Sequence, residues 1–331
     1  MSTPPASLPR HTHSVEVDGR DLVELAGAAP EVFAHTIGFH ERYEVLGTIG
    51  QGGMGEVKLC RDRTVGREVA MKVIRDRDRD SPRRWRFIRE ARIQGQLEHP
   101  AVVPVYDFGV DPDGNLYFTM KRVRGVSLAE VVDALANGDP TTERRWGRRR
   151  LLNSFSQICL AVDFIHTRGV IHRDLKPSNL MLGEFGEIYI LDWGLVKIVA
   201  ARAGERQELL DASNASTTGH GSVLGTPGYM SPEQLRGEVK AVGPRSDVYS
   251  LGAILFEVLA REPLHPRGAT KEKLLSVLRT DGGRPGSRRK ARMVPAALDD
   301  LVEKATRLDP KDRHPSAGAL REELEAYLDA D

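Results

Sequence analysis

IHRDLKPSNLML at residues 171–182, followed by YILDWGL at 189–195, is the stretch on which the reading of the whole chain turns. Asp174, Lys176 and Asn179 fall in one short polar loop, and Asp192 closes the next predicted strand. Two carboxylates, an amide and an ammonium are thereby gathered beside apolar Ile171, Leu180 and Leu191. Oxygen ligands suit Mg²⁺, and neutralising negative charge is most of what phosphoryl transfer demands. A solvated loop that merely carried polar residues would not account for such charge density against an apolar background.

Toward the N-terminus, AMKV puts Lys72 on a predicted strand between apolar neighbours. An ammonium there must be paired or shift its pKa, because desolvating an isolated charge is costly. Glu90, on the helix predicted from FIREARIQGQL (87–97), is the natural partner; the alternative is a strand-edge lysine reaching out to solvent. GQGGMGEV sets Gly50, Gly52, Gly55 and Val57 between two predicted strands. Glycine allows positive φ and close backbone approach, so such a turn can lay its amides over a polyphosphate, although a plain hairpin would use the same residues. A dinucleotide-binding turn of Rossmann type needs a helix to follow, and a strand follows here.

From Tyr43 to about Leu328 the chain resembles Hanks-type serine/threonine protein kinases of the kind found in bacteria. The resemblance is carried by Gly50 to Val57, Lys72, Glu90, HRDLKPSN at 172–179 and DWG at 192–194. It continues through GTPGYMSPE at 225–233, SDVYSLG at 246–252 and Asp312-Arg313, all in family order. It implies an α+β, two-lobed fold: a flexible extension over 1–42, a β-rich N-lobe with one key helix over 43–123, and a mainly helical C-lobe over 124–331. It also implies transfer of the γ-phosphoryl of ATP to Ser or Thr of proteins, the chain itself included, with Mg²⁺ or Mn²⁺.

Carried over residue by residue, the resemblance has Lys72 hold the α- and β-phosphates, positioned by Glu90. Asp174 orients the attacking hydroxyl and accepts its proton, Asn179 and Asp192 hold the metal, and Lys176 balances charge on the γ-phosphate. Thr226 supports Asp174 and Lys176. Ile49, Gly50, Gly52, Gly55, Val57 and Ala70 would roof the nucleotide, Met120 would back it, Lys121 and Val123 would meet it through their backbone, and Leu182 would floor it. The apolar members of that set could equally be ordinary core. The resemblance further pairs Glu233 with Arg313, has Asp247 cap the catalytic loop, and lets Arg173 receive a phosphate on the mobile segment, where Ser213, Ser216, Thr217, Thr218 and Ser222 are the candidate acceptors.

Two departures stand out: Trp193 replaces the family's phenylalanine, and the linker carries the basic pair Lys121-Arg122. Both would suit a scaffold that binds partners without turnover, and a small-molecule phosphotransferase would share the ATP chemistry. The complete set of charged groups favours an enzyme, and Lys176 with GTPGYMSPE favours protein substrates.

Composition sets the remaining bounds. Among 331 residues, 48 Lys and Arg face 47 Asp and Glu, a formal charge of +1, so no polyanionic partner is selected by bulk charge. Basic clusters at Arg83 to Arg86, Arg144 to Arg150 and Arg288 to Arg292, with Trp85 and Trp146 among them, raise a nucleic-acid reading. Against a neutral total they read as solvated helix ends and loops, and no nucleic acid is expected. Cys60 and Cys159 are the only cysteines, which excludes a disulfide framework and fits a reducing compartment. No apolar run reaches membrane-spanning length and the first residues lack a signal-peptide core, so neither membrane insertion nor export is expected, and the cytoplasm is the default.

Hydrophobic periodicity supplies the elements. Three antiparallel strands are predicted from YEVLGTIGQGG, GEVKLCRDR and REVAMKVIR, and two more from VVPVYDFGV and NLYFTMKRV around an Asp-Pro-Asp-Gly turn. A helix ends at Arg168-Gly169, two short strands are expected between Val170 and Trp193, and Ala203 to Gly221 reads as a mobile loop. SDVYSLGAILFEVLA is apolar on nearly every face, so a helix buried on all sides is predicted there. The patch Leu22 to Phe33 suggests one short helix in the extension.

Overall fold

The computed structural model describes residues 37–52, 55–76, 78, 81–198, 226–288 and 293–330. The readings made for Leu22 to Phe33, for the loop at 203–221 and for its five candidate acceptors lie outside the described residues.

A single turn of helix, α1 (Phe39–Arg42), leads into β1 (Tyr43–Gly52), β2 (Gly55–Asp62), β3 (Arg67–Ile74), β4 (Val105–Val110) and β5 (Leu116–Lys121). These strands form a five-stranded sheet in the order β1-β2-β3-β5-β4, every neighbour antiparallel. Its outer face buries Tyr43, Cys60, Val69, Met71 and Val73. The α1 residues, placed in the extension by the sequence reading, pack on that face. The Phe39 ring lies 5.6 Å from Tyr43 and 5.1 Å from Tyr117, and Arg42 pairs with Asp107 at 2.9 Å. In the β4-β5 turn, Asp111 accepts from the amides of Asp113 and Asn115, and Gly114 takes the positive φ of 84°.

The inner face packs on α2 (Pro82–Gln96), with Phe87 and Phe118 rings 5.1 Å apart. This helix starts at Pro82, ahead of the periodic run that begins at Phe87. Ser81 Oγ accepts from the Arg83 amide and proline sits in the first turn, so capping sets the start while the arginines there hide it from a hydrophobicity pattern.

The second lobe contains β6 (Val126–Ser127), α3 (Leu128–Ala136), α4 (Pro140–Arg145), α5 (Arg148–Thr167), β7 (Val170–Ile171), β8 (Leu180–Leu182), β9 (Ile188–Ile190) and β10 (Lys197–Ile198). It continues with α6 (Pro232–Leu235), α7 (Pro244–Ala260), α8 (Thr270–Arg279), α9 (Ala296–Ala305) and α10 (Ala317–Ala330). Val170 to Trp193 thus holds three strands where the sequence predicts two. The additional one, β7, has only two residues and owes its pairing to β10, beyond that segment. No helix among the described residues is long and apolar enough to cross a membrane.

Helix α7 is buried from Ser246 to Ala260 and touches α5, α9 and α10, as its all-round apolar sequence requires. Gly252 allows the closest approach: a Cβ there would lie 2.7 Å from Ala305 Cβ and 2.8 Å from Thr306 Cγ2. Near the start of α7, Arg313 forks both carboxylate oxygens of Glu233 at 2.9 Å, and Ser246 donates to the same acid at 2.7 Å. Arg313 also donates to the carbonyls of Arg245, Arg307 and Leu308, so this buried pair has its hydrogen-bonding capacity filled.

The first turn of α7 carries Asp247, completely buried. Its carboxylate accepts from the His172 amide at 2.8 Å, the Arg173 amide at 2.9 Å and His166 Nε2 at 2.8 Å. Burial pushes this carboxyl up. The hydrogen bond and charge of His166, with His172 and the Arg173 amide, outweigh burial and hold it below its ordinary value. Arg173 is thereby fixed at φ 70°, a region that non-glycine residues rarely occupy.

Two substitutions test this packing by urea unfolding. Gly252→Ala is expected to cost about 1–3 kcal/mol through overpacking. Asp247→Asn is expected to cost about 2 kcal/mol or more at pH 7, because buried amides lose a charged acceptor. Since the folded pKa of Asp247 is depressed, its contribution is complete above the unfolded value of about 3.9 and is lost as pH falls through the lower folded value. The gap between parent and Asp247→Asn should therefore narrow below about pH 4.

Candidate active site

Strand register sets the upper half of the site. Val57 lies opposite Lys72 and Lys72 opposite Phe118, while Ala70 lies opposite Met120 and Gly50 opposite Val57. Directly paired residues share a face, so Gly50, Val57, Ala70, Lys72 and Met120 all face inward, toward α2. Ile49 falls at a register shift and is half exposed. A Cβ at Gly55 would lie 2.2 Å from the Val73 carbonyl oxygen, so the fold itself requires glycine there. At Gly50 the nearest atom to a Cβ would be 3.7 Å away, an ordinary contact, and the fold makes no such demand.

Lys72 Nζ donates to Glu90 Oε1 at 2.5 Å. Burial pushes the Glu90 carboxyl up, Lys72 pulls it down, and the neighbouring Asp192 charge pushes it up again. Asp192 is solvent-exposed, with φ 61°. It directly follows Leu191, whose amide donates to the Asn179 carbonyl at 2.8 Å, and the pairing of β8 with β9 keeps these two segments side by side. Asn179 Nδ2 donates to the Asp174 carbonyl at 2.9 Å. An unbroken chain of neighbours therefore links Lys72, Glu90, Asp192, Asn179 and Asp174.

The Asp174 carboxylate is held from two sides. Oδ2 accepts from Lys176 Nζ at 2.8 Å, and Oδ1 accepts from both the amide and the hydroxyl of Thr226 at 3.0 Å. The Thr226 hydroxyl in turn accepts from Lys176 at 2.8 Å. Burial lowers the pKa of His172; its Nδ1 accepts from the Asp174 amide, and its Nε2–H donates to the Leu191 carbonyl at 3.2 Å.

Trp193 is 1% exposed, its ring 5.0 Å from His172, in one core with Ile93 and Leu97. Its indole Nε1 has no hydrogen-bond partner among the described residues. In the linker, Lys121 Nζ bonds the Tyr189 hydroxyl at 2.6 Å and Arg122 pairs with Glu68, so both basic side chains are engaged by the protein. Val123 is half-buried, and Leu182 is 1% exposed within the second-lobe core. Trp146 lies buried beneath Arg150 and Arg145, where it offers no stacking face to a base.

Two cations near Arg173 escape sequence reasoning. Burial lowers the pKa of Arg173, and burial together with Arg173 lowers those of Arg89 and Lys197. Arg89 donates to the Val196 carbonyl, while Lys197 donates to those of Val239 and Val242. No spacing rule joins these three positions; only the folded chain brings them together.

Among the described residues, no cluster of three or more His, Cys, Asp or Glu could hold a metal ion. Asn179 and Asp192 offer hard oxygen atoms, an amide and an exposed carboxylate. That donor set fits a magnesium-like ion that takes its other ligands from phosphates and water, and not a soft or tightly caged metal.

Residues 43–324 match the protein kinase domain family. The chain is 35% identical over 302 residues to the serine/threonine-protein kinase PknD of Chlamydia pneumoniae, covering 87% of this chain and 31% of that protein. With the PknD of Protochlamydia amoebophila it is 36% identical over 298 residues, covering 87% and 30% respectively. The chain spans about a third of the length of these relatives. Motifs, two-lobed fold and matched residues agree, and the chain belongs to the protein kinase family.

Proposed function

We propose that the chain transfers the γ-phosphoryl of ATP to Ser or Thr hydroxyls of proteins, including its own. The observation that carries this reading is the Asp174 carboxylate, fixed by Lys176 and Thr226 beside Asn179 and the exposed Asp192. Lys72, oriented by Glu90, would bind the α- and β-phosphates under the Gly50–Val57 turn, with Ile49, Ala70, Met120, the Lys121–Val123 backbone and Leu182 about the base. Asn179 and Asp192 would hold Mg²⁺, for which Mn²⁺ could substitute, and the ion would neutralise charge on the phosphates. Asp174 would align the acceptor hydroxyl and take its proton at a carboxylate oxygen, while Lys176 faces the transferred group. A carboxylate, unprotonated at neutral pH and within hydrogen-bond reach, can take the proton as the oxygen attacks, which aids a hydroxyl that is otherwise a poor nucleophile.

Arg173, Arg89 and Lys197 form a cationic cluster whose charge is partly desolvated, and a phosphate would relieve it. We place that phosphate on Thr217 or Thr218, with Ser213, Ser216 and Ser222 as the other candidates. The cytoplasm, which supplies ATP and keeps the buried Cys60 and Cys159 reduced, is the proposed site of action.

Radiolabelled ATP with purified chain tests the reading. Label is expected on Ser and Thr, and Asp174→Asn should slow labelling by about 10²–10⁴-fold. EDTA should abolish labelling, with recovery on adding Mg²⁺ or Mn²⁺. Equal labelling by parent and Asp174→Asn would refute the mechanism, and fully active chain without phosphate at 213–222 would refute the regulatory site.

A further inference from the structure

A cavity of roughly 390 Å³ opens beside the Asp174 site, running from Lys176 and Thr226 at one end to Asp133, Glu257, Arg267 and Lys273 at the other. An extended peptide advances only about 3.3 Å per residue, and Lys176 and Thr226 at the cavity's edge both bond Asp174, so side chains flanking a hydroxyl placed there come within reach of this cavity. A role for the cavity in substrate choice rests on the protein-kinase function proposed for Asp174.

Glu257, from α7, forms the floor, its side chain 6% exposed. The Tyr229 hydroxyl donates to its Oε2 at 2.5 Å, whereas Oε1 is approached by Arg267 at 3.6 Å. Burial keeps this carboxyl above its ordinary value, the mark of an acid with incomplete compensation. Arg267, on the loop between α7 and α8, holds Asp133 of α3 at 2.7 Å, and its side chain remains 66% exposed. One guanidinium thus lies across two carboxylates from different helices, Asp133 of α3 and Glu257 of α7. Lys273 of α8, on the same wall, makes no ion pair among the described residues.

We propose that Arg267 fills, from within the chain, the acidic subsite of the peptide groove, so that the kinase disfavours Arg or Lys flanking the acceptor and favours acidic side chains. Such an acid is received by the Lys273 ammonium and the exposed edge of the Arg267 guanidinium. A basic side chain meets those same charges, with Asp133 and Glu257 already engaged.

Three matched serine peptides, flanked by Glu, Ala or Arg and otherwise identical, decide the matter through their relative kcat/KM with the full chain. The ratio is read and not the rate, so partial loss of folded enzyme in a variant cancels. The parent should favour the Glu peptide over the Arg peptide by about tenfold or more, the scale of one like-charge contact. Arg267→Ala should shrink or invert that ratio, chiefly by lowering KM for the Arg peptide, and Asp133→Asn added to it should reverse part of the gain. A parent that prefers the Arg peptide, or an Arg267→Ala variant with an unchanged ratio, overturns the subsite while leaving kinase activity intact. Absence of ATP-dependent label on every peptide and on the chain itself overturns the underlying kinase reading instead.

Discussion

The site depends on one buried carboxylate. Asp247 has no exposed surface and remains ionised because two backbone amides and a histidine converge on it. The amides belong to His172 and Arg173, the residues that immediately precede Asp174. Helix α7, buried from Ser246 to Ala260, therefore fixes the His172–Asn179 loop through its backbone, independently of the side chains proposed to do chemistry. The positive φ at Arg173 is the local strain this anchoring sustains, and it turns the chain so that Asp174 meets Lys176 and Thr226.

The same division between support and chemistry recurs in the upper lobe. Lys72 meets an ion-pair partner on an apolar sheet because Glu90 is delivered to it by a helix packed through Phe87 and Phe118. Glu90, however, is itself buried and feels the charge of Asp192 from the other lobe, so the two lobes' charges are coupled. In the function proposed above, a divalent cation arriving with a polyphosphate would add positive charge beside the carboxylates of Asp192 and Glu90.

Much of this was legible in the sequence because kinase chemistry is local in the chain. Asp174, Lys176 and Asn179 share one loop, and the apolar neighbours of Lys72 on β3 called for a partner such as Glu90. Four features were not legible. The start of α2 is set by Ser81 and Pro82, and the arginines after them carry no hydrophobic period. Strand β7 exists only because Lys197 and Ile198 return to pair with it. The clustering of Arg89 and Lys197 about Arg173 joins three separate elements, and the packing of α1 on Tyr117 joins two, so neither leaves a short-range trace. The basic linker pair, odd on paper, is accounted for by Tyr189 and Glu68.

The bond from Lys121 to Tyr189 has a mechanical side. Lys121 ends β5 of the upper lobe and Tyr189 sits in β9 of the lower, so the ammonium spans the junction between lobes behind the cleft, touching the phenol both at its hydroxyl and across its ring at 4.7 Å. Any motion that draws β5 away from β9 must stretch or surrender that contact. It acts as a tether between β5 and β9, stiffening the joint between the two lobes at a point where a side chain of the linker reaches down.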